Sequence, residues 1–365
     1  MKTLFQTCML ICTLVVLSSC GFKDIDKRSF VVSMGIDQSQ ENEKNYEVIL
    51  KIAFPSSEAN EQGKNFQLAT ETGRTIAEAV SRIKAKTSNE LDFGHMKIIV
   101  LGEKILERDI GQTMDWFTRR RDIQQIAFIG VGKPTAREVL AHEPKGERLP
   151  SNELFLFFGE TGTESPYVTT NYLFHFRRNL EERGIDGYLP IIEVKDDIFS
   201  IMTMCLVKKG EKPLPLKDDE TELFNLLNRG YDKVSIKIQG VKQHFILSID
   251  QLSSSYQILS TDSQKPVIKY KVNIKGNIEE SMVEIKEEKM DQYNQLVEQV
   301  VKKRTEALFK KLQDSHYDPL GFGLRYRANH SGDENVKVKE WQNIYDQIRF
   351  DVNVKANITG TGVIE

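Results

Sequence analysis

Two kinds of hydrophobic spacing alternate along the first half of the chain. Tyr46, Val48, Leu50, Ile52 and Phe54 alternate with Glu47, Ile49, Lys51 and Ala53. A period of two predicts a strand with one buried face. Residues 30–37 read as the strand before it, and the polar stretch 38–45 predicts a turn that makes the pair a hairpin. Residues 55–70 predict a loop. Ile76, Ala79, Val80 and Ile83 then recur at helical spacing within 72–86. Residues 97–101 form a continuous apolar run and predict a buried strand. A second helix is expected over 103–121, with Ile105, Leu106, Ile110, Met114 and Phe117 apolar. Residues 125–131 predict another strand and 134–142 a short helix. The order β-β-α-β-α-β-α describes helices laid over a sheet.

The spacing changes after residue 144. Pro144, Gly146, Pro150, Gly159, Gly162 and Pro166 mark irregular chain around the run Leu154-Phe155-Leu156-Phe157-Phe158. That run reads either as a buried strand or short helix, or as a contact for a partner or membrane, since apolar patches of this size are uncommon on monomers. A helix is expected over 168–182. A second region opens near Leu189, with strands at 190–194, 198–207, 233–239, 245–250 and 255–259. Its longest strand spans 267–278, where Ile268, Tyr270, Val272, Ile274 and Ile278 alternate with Lys269, Lys271, Asn273, Lys275 and Asn277. The longest helix covers 290–314. Lys302, Lys303, Lys310 and Lys311 fall in its C-terminal half, where cations suit the helix dipole. Phe350, Val352, Val354, Ala356 and Ile358 mark a last strand. These elements predict a multi-domain α+β fold with mixed or antiparallel β-sheets flanked by α-helices. In it, a C-terminal antiparallel sheet is packed by one long helix.

The head of the chain shows where the protein goes. MKTLFQTCMLICTLVVLSSC has a positive start at Lys2, an apolar stretch and small residues before a cysteine. No basic stop-transfer cluster follows, so residues 1–19 read as a signal peptide. Leu17-Ser18-Ser19-Cys20 resembles the lipobox of bacterial lipoproteins, in which the cysteine thiol takes a diacylglyceryl group. Cys20 is therefore the expected lipidation site and first residue of the mature chain. The plainer alternative is an ordinary secretory cut beside an incidental cysteine. Two acyl chains give a stable anchor where one is marginal. Cys8 and Cys12 leave with the signal peptide, and Cys205 lies in an apolar run. The mature chain then has no intramolecular disulfide and no cysteine-based zinc site. The expected division is a leader at 1–19, an N-terminal region at 20–195 (one unit or two discontinuous subdomains) and a C-terminal region at 196–365.

Composition narrows the function. The 365 residues carry a formal net charge of −3, with 39% hydrophobic and 28% charged residues. This excludes a disordered tail, a collagen-like fibre and a polytopic membrane protein, and a nucleic-acid binder should be more basic. No zincin, G-x-S-x-G or Walker A motif is present. His142-Glu143 lacks the rest of a metalloprotease motif. Gly321-Phe322-Gly323 is too short for a phosphate loop and reads as a tight turn. Arg119-Arg120-Arg121-Asp122 reads as a solvated helix end or an anion site. His95 reads as a structural histidine or as a ligand or base. Asp196-Asp197 carries no specific catalytic signal. No cofactor is expected, and the chain reads as a non-enzyme.

Three blocks resemble the Ger(x)C lipoproteins, the C subunits of nutrient germinant receptors in endospore-forming bacteria. The first is Cys20-Gly21-Phe22-Lys23-Asp24-Ile25-Asp26 followed by a strand ending in Gly35-Ile36-Asp37. The second runs from His95-Met96-Lys97-Ile98-Ile99-Val100-Leu101 to Asp115-Trp116-Phe117-Thr118-Arg119-Arg120-Arg121-Asp122 and then Ala127-Phe128-Ile129-Gly130-Val131. The third is Asp318-Pro319-Leu320-Gly321-Phe322-Gly323, then Trp341 and the terminal strand. Phe22 stands where a Trp is common, and the polar segment before Trp341 departs from the family's Lys-Pro-Trp-like pattern. The resemblance implies a lipid-anchored subunit on the outer leaflet of the spore's inner membrane. Its partners would be an A subunit with a large soluble domain and a B subunit resembling amino-acid transporters. It implies no ligand site. The competing readings are a solute-binding lipoprotein of an importer, which needs two α/β lobes around a cleft, and an envelope hydrolase, which needs a paired acid and base.

Overall fold

A computed structural model describes Met1, Gln6 and residues 27–53, 65–145, 149–159, 165–229, 234–240, 243–261 and 264–360. The expected leader, apart from Met1 and Gln6, and residues 20–26 with Cys20 lie outside the described residues.

The first sheet is built around four parallel strands, β1 (Arg28–Gln38), β5 (Ile98–Gly102), β6 (Phe128–Lys133) and β7 (Gly187–Lys195), adjacent in that order. Antiparallel strands extend both edges. β2 (Tyr46–Ala53) and β3 (Phe66–Gly73) lie beyond β1, and β8 (Ile198–Val207) and β9 (Leu214–Leu216) lie beyond β7. The short β4 (Glu90–Asp92) pairs with the start of β1. The expected β1–β2 hairpin is present, with Ile36 opposite Val48. Strands 198–216 therefore belong to this first sheet, although the sequence pattern puts them with the second half.

Helices cover both faces, because the central strands are apolar on both sides. One face carries α1 (Ile76–Lys84), α2 (Ile110–Arg119) and, later in the chain, α5 (Leu173–Glu181). The other carries α3 (Ala136–Ala141) and α4 (Asn152–Phe158). α1 buries Ile76, Ala79, Val80 and Ile83, the four positions that its spacing singles out. It starts where the Thr75 hydroxyl accepts from Glu78 N and the Glu78 carboxylate accepts from Arg74 N, a reciprocal cap.

The second sheet joins β10 (Val234–Gln239), β11 (His244–Thr261), β12 (Gln264–Ser281) and β13 (Arg349–Ile358). β10, β11 and β12 are antiparallel, as expected for this half. β13 instead runs parallel to β12, with Val352 opposite Tyr270. The parallel return is possible because three helices intervene: α7 (Met290–Asp314), α8 (Phe322–Asn329) and α9 (Glu334–Tyr345) form the crossover. α7 spans the whole expected helix and buries Val297, Val301, Leu308, Phe309 and Leu312 against the sheet. α6 (Asp218–Arg229) enters the same core. Met204, Leu206 and Leu216 of the first sheet also belong to that core, so the two bodies share apolar packing.

The remaining departures have local causes. Residues 66–73 form strand β3 rather than loop and helix start. It is an edge strand with one neighbour and few apolar residues, so it carries no alternation signal. The two expected strands at 245–250 and 255–259 are one strand. A register shift between Ile249 and Gln251 resets the alternation between them. The helix expected from 168 starts at Leu173, because Ile129 N donates to Asn171 O and holds that stretch extended.

Asp37 closes the β1 end of the first motif block. Its buried carboxylate accepts from Ala136 N at 2.9 Å and Arg137 N at 2.8 Å, tying β1 to the first turn of α3. Burial raises its pKa, and the two amides pull it back down. Asp37→Ala leaves two amides without their acceptor. The expected loss in denaturant unfolding is about 2–4 kcal/mol; an unchanged midpoint would overturn this role.

Candidate functional site

The third motif block meets the chain between α5 and β7 at the joint of the two bodies. Two backbone segments interlock there. Asp186 N donates to Asp318 O at 3.0 Å, and Asp318 N donates to the Asp186 carboxylate at 2.6 Å. Leu324 N donates to Gly184 O at 2.7 Å. Asp318 is buried, and its two carboxylate oxygens accept from Phe322 N at 2.9 Å and Gly323 N at 2.6 Å. Gly321 takes a left-handed φ of 70°, which turns the chain into α8. The Gly321-Phe322-Gly323 run is thus a turn into a helix.

Close approach needs two further glycines. A Cβ on Gly184 would lie 2.6 Å from the Gly323 carbonyl carbon, and one on Gly323 would lie 2.4 Å from Trp341 Nε1. Trp341 and Tyr345 are the buried residues of α9, one turn apart. The Tyr345 hydroxyl donates to Tyr317 O at 2.6 Å, and Gln313 Nε2 donates to Tyr345 O and Ile348 O. Arg327 bridges the segments from outside, pairing with Glu182 and Glu334 and donating to Arg183 O.

A cleft of about 760 Å³ opens beside this joint. Arg183, Lys208, Lys209 and Lys339 and the acids Glu182, Asp186 and Asp346 line it. Several of the cations are already engaged: Lys208 with His316 O, Lys209 with Glu181 and Arg183 with Asn335. The cleft is a mixed-charge seam at the joint.

The electrostatics of the joint centre on Asp318. Burial pushes its carboxyl pKa up to about 7, the amides of Gly323 and Phe322 oppose the rise, and the nearby Asp186 adds to it. Asp186 is also raised, again chiefly by burial. A carboxyl raised on folding binds protons more tightly in the native state. Its contribution to stability is complete below about pH 4 and fades as pH rises through about 7.

The other candidates lie elsewhere. His95 is exposed, with its ring 5.0 Å from Phe30 in an edge contact. Arg120 pairs with Asp122 and stacks over Phe93 and Trp116, and Arg119 pairs with Asp115. The 119–122 run thus decorates the end of α2. His142 packs edge-on against Phe199 and faces Asp197 at 3.7 Å, while Lys145 reaches the same carboxylate at 3.5 Å. Asp196 and Asp197 both have positive φ, at 50° and 64°, and make the β7–β8 turn. Cys205 is buried and free, as expected of a small hydrophobe, and burial pushes its thiol up to about 12. The Leu154–Phe158 run is the short helix α4, with Leu154 and Phe158 buried and Leu156 41% exposed. Among the described residues no group of three or more His, Cys, Asp or Glu is arranged to hold a metal. No described helix is long and apolar enough to cross a membrane. Sequence reasoning missed Asp186 and Gly184, which lie in no motif block and stand out only through their contacts with Asp318 and Gly323.

Two outcomes follow for the joint. In Asp318→Asn the group no longer titrates. The stability advantage of the parent over this variant should be largest near pH 4 and shrink toward about pH 7 in thermal melts. A pH-independent difference would refute the assignment. Gly323→Ala forces the Trp341 ring aside and should cost about 1–3 kcal/mol, with a changed Trp341 fluorescence.

Comparison with known proteins agrees with this anatomy. Residues 21–194 match the family described as "Spore germination protein N-terminal domain", and residues 208–362 match "Spore germination B3/ GerAC like, C-terminal". YfkR of Bacillus subtilis (strain 168) is 22% identical, with 100% of this chain and 98% of that protein aligned. Spore germination protein GerQC of Bacillus cereus is 20% identical over 80% of this chain and 82% of its own. The crystal structure of the GerBC protein superposes with a TM-score of 0.59 at 16% identity, covering 92% of this chain and 100% of that one, and shows the same fold. The two family regions follow one another across nearly the whole sequence and meet at the β7–β8 hairpin that leads to the second body. The chain belongs to the Ger(x)C family of spore germination proteins.

Proposed function

We propose that this chain is the lipid-anchored, non-catalytic subunit of a nutrient germinant receptor. It is held on the outer leaflet of the spore's inner membrane beside an A and a B membrane subunit. The observation that carries this reading is the lipobox Leu17-Ser18-Ser19-Cys20 at the head of a Ger(x)C-family chain. The diacylglyceryl group on Cys20 confines the protein to a surface. It turns the encounter with membrane partners into a two-dimensional search at raised effective concentration.

A non-catalytic role fits the use of the motif acids. Among the described residues Asp37 and Asp318 are the carboxylates of the first and third motif blocks, and each is committed to two backbone amides. A general acid or base needs a carboxyl free to exchange a proton with substrate. The importer reading needs two similar α/β lobes. Here the first sheet has a parallel centre, whereas three of the four strands of the second are antiparallel.

Affinity capture of the tagged chain from detergent-solubilised spore membranes tests the proposal. Two co-purifying polytopic proteins, one transporter-like, are the expected result; an importer permease or no partner would overturn it. Cys20→Ala should release the protein from the membrane fraction and weaken the germination response. Normal retention and response in that variant would remove the anchor from the mechanism.

A further inference from the structure

The chain enters the first sheet at an end unlike the other. β1 begins at Arg28 and runs past the starts of β5 and β6, which lie level with each other and with Val32, because Lys97 N donates to Val32 O and Phe128 N to Lys97 O. At this amino-end rim an apolar groove of about 300 Å³ is lined by Phe30, Val32, Ala53, His95, Lys97 and Leu149. The apolar surface continues past the groove. Lys97 Nζ sits 4.2 Å over the Phe155 ring, Phe155 packs on Phe128, Phe128 stacks on Tyr172, and Tyr172 stacks on Phe174. Phe174 N in turn donates to Gln125 O, which places Ile126 beside it. Along this line Ile126 is 63% exposed, Leu149 66%, Leu156 41% and Phe174 38%.

The far end of the same strands is different. β1 is 11 residues long, so its other end lies about 33 Å away. There it leads into Gln38-Ser39-Gln40-Glu41-Asn42-Glu43-Lys44-Asn45, which is wholly polar. β5 leads at that end into Glu103 and Lys104.

We infer that the amino-end rim of the first sheet, around Phe30, Leu149, Leu156, Phe174 and Ile126, lies against the lipid surface. The inference rests on the proposed anchor at Cys20. Arg28 is eight steps along the chain from Cys20, a stretch that can span at most about 28 Å. The anchor therefore holds the start of β1 within about 28 Å of the bilayer, too short for an upright, inverted molecule that would stand on the polar end about 33 Å away. The residue types suit the boundary. Lys97 sets its ammonium over the Phe155 ring, a cation–π contact that keeps a charge at the edge of the apolar line. Tyr172 sits in the middle of the aromatic line, a side chain that favours the membrane–water interface. The Arg28–Asp92 and Arg120–Asp122 ion pairs flank the patch and do not cross it.

Site-directed labelling of the full-length, lipidated protein tests this. With Cys20 acylated and Cys205 buried, an introduced cysteine is the accessible thiol. Ile126→Cys, Leu149→Cys, Leu156→Cys and Phe174→Cys would each carry an environment-sensitive fluorophore. Glu41→Cys at the polar end and Val336→Cys on α9 serve as references. The labelled proteins are reconstituted into phosphatidylethanolamine–phosphatidylglycerol vesicles containing spin-labelled lipid. Blue-shifted emission and quenching at the four rim positions, with neither at Glu41, is the expected result. Flotation with the vesicles but equal, unquenched emission at all positions would overturn the rim assignment and leave the anchor standing. Failure to float would remove the anchor and the rim assignment together. Rim positions that are unquenched by lipid but blocked from labelling in the detergent-solubilised receptor would make the rim a protein interface and overturn the inference.

Discussion

The structure depends on buried carboxylates that hold backbone amides. Asp37 takes two consecutive amides of α3, and Asp318 takes two consecutive amides of α8. Asp37 ties β1 to a helix about a hundred residues further on, whereas Asp318 caps the turn that follows it; in both places no regular ladder satisfies those donors. An orphaned buried amide is expensive, so an acid that accepts two is hard to replace. The cost is visible in the raised pKa of both groups, for which burial is the largest cause. Each also has a like-charged neighbour that adds to the rise, Glu47 at Asp37 and Asp186 at Asp318. The same two segments exchange backbone hydrogen bonds at the joint. The local turn and the relation between the two bodies therefore rest on one cluster.

The shared core makes that joint stiff. Met204, Leu206 and Leu216 of the first sheet pack with the α6, α7 and β11–β13 residues of the second body. Tyr317, Phe322, Trp341 and Tyr345 fill the seam. A change in the Gly184–Gly323 contact would be felt by Trp341, whose ring occupies the space a Cβ would need. Coupling between the bodies thus runs through contacts close enough to exclude a methyl group. A flexible linker would transmit far less.

Hydrophobic spacing made the interior strands and helices legible. α1 and α7 bury the stripes that their sequences show, and β12 presents its lysines and asparagines to solvent as the alternation requires. Legibility failed where tertiary contacts override local pattern. β3 has no alternation because it is an edge, and β11 reads as two strands because a bulge shifts its register. The direction of β13 is set by the crossover of three helices, and α8 and α9 bury too few apolar residues to announce themselves. The site was legible by half. The Asp318–Gly323 block stands out as a motif, but its partners at Gly184 and Asp186 look like ordinary loop residues. Only the fold brings them within hydrogen-bond distance.

The parallel strands also set how the two bodies would meet a bilayer placed against the rim. β7 begins at Gly187, directly after Asp186, so the joint sits at the amino end of the central strands. That is the end at which β1, β5 and β6 begin and the chain arrives from Cys20. From β1 to β7 is three strand spacings, about 14 Å. Under the inferred placement of the rim against lipid, the second body would be held beside the bilayer rather than above the first. Its seam of charged residues would then face the layer where membrane partners project. The polar β1–β2 turn points the opposite way, and contacts made there would not compete with the joint.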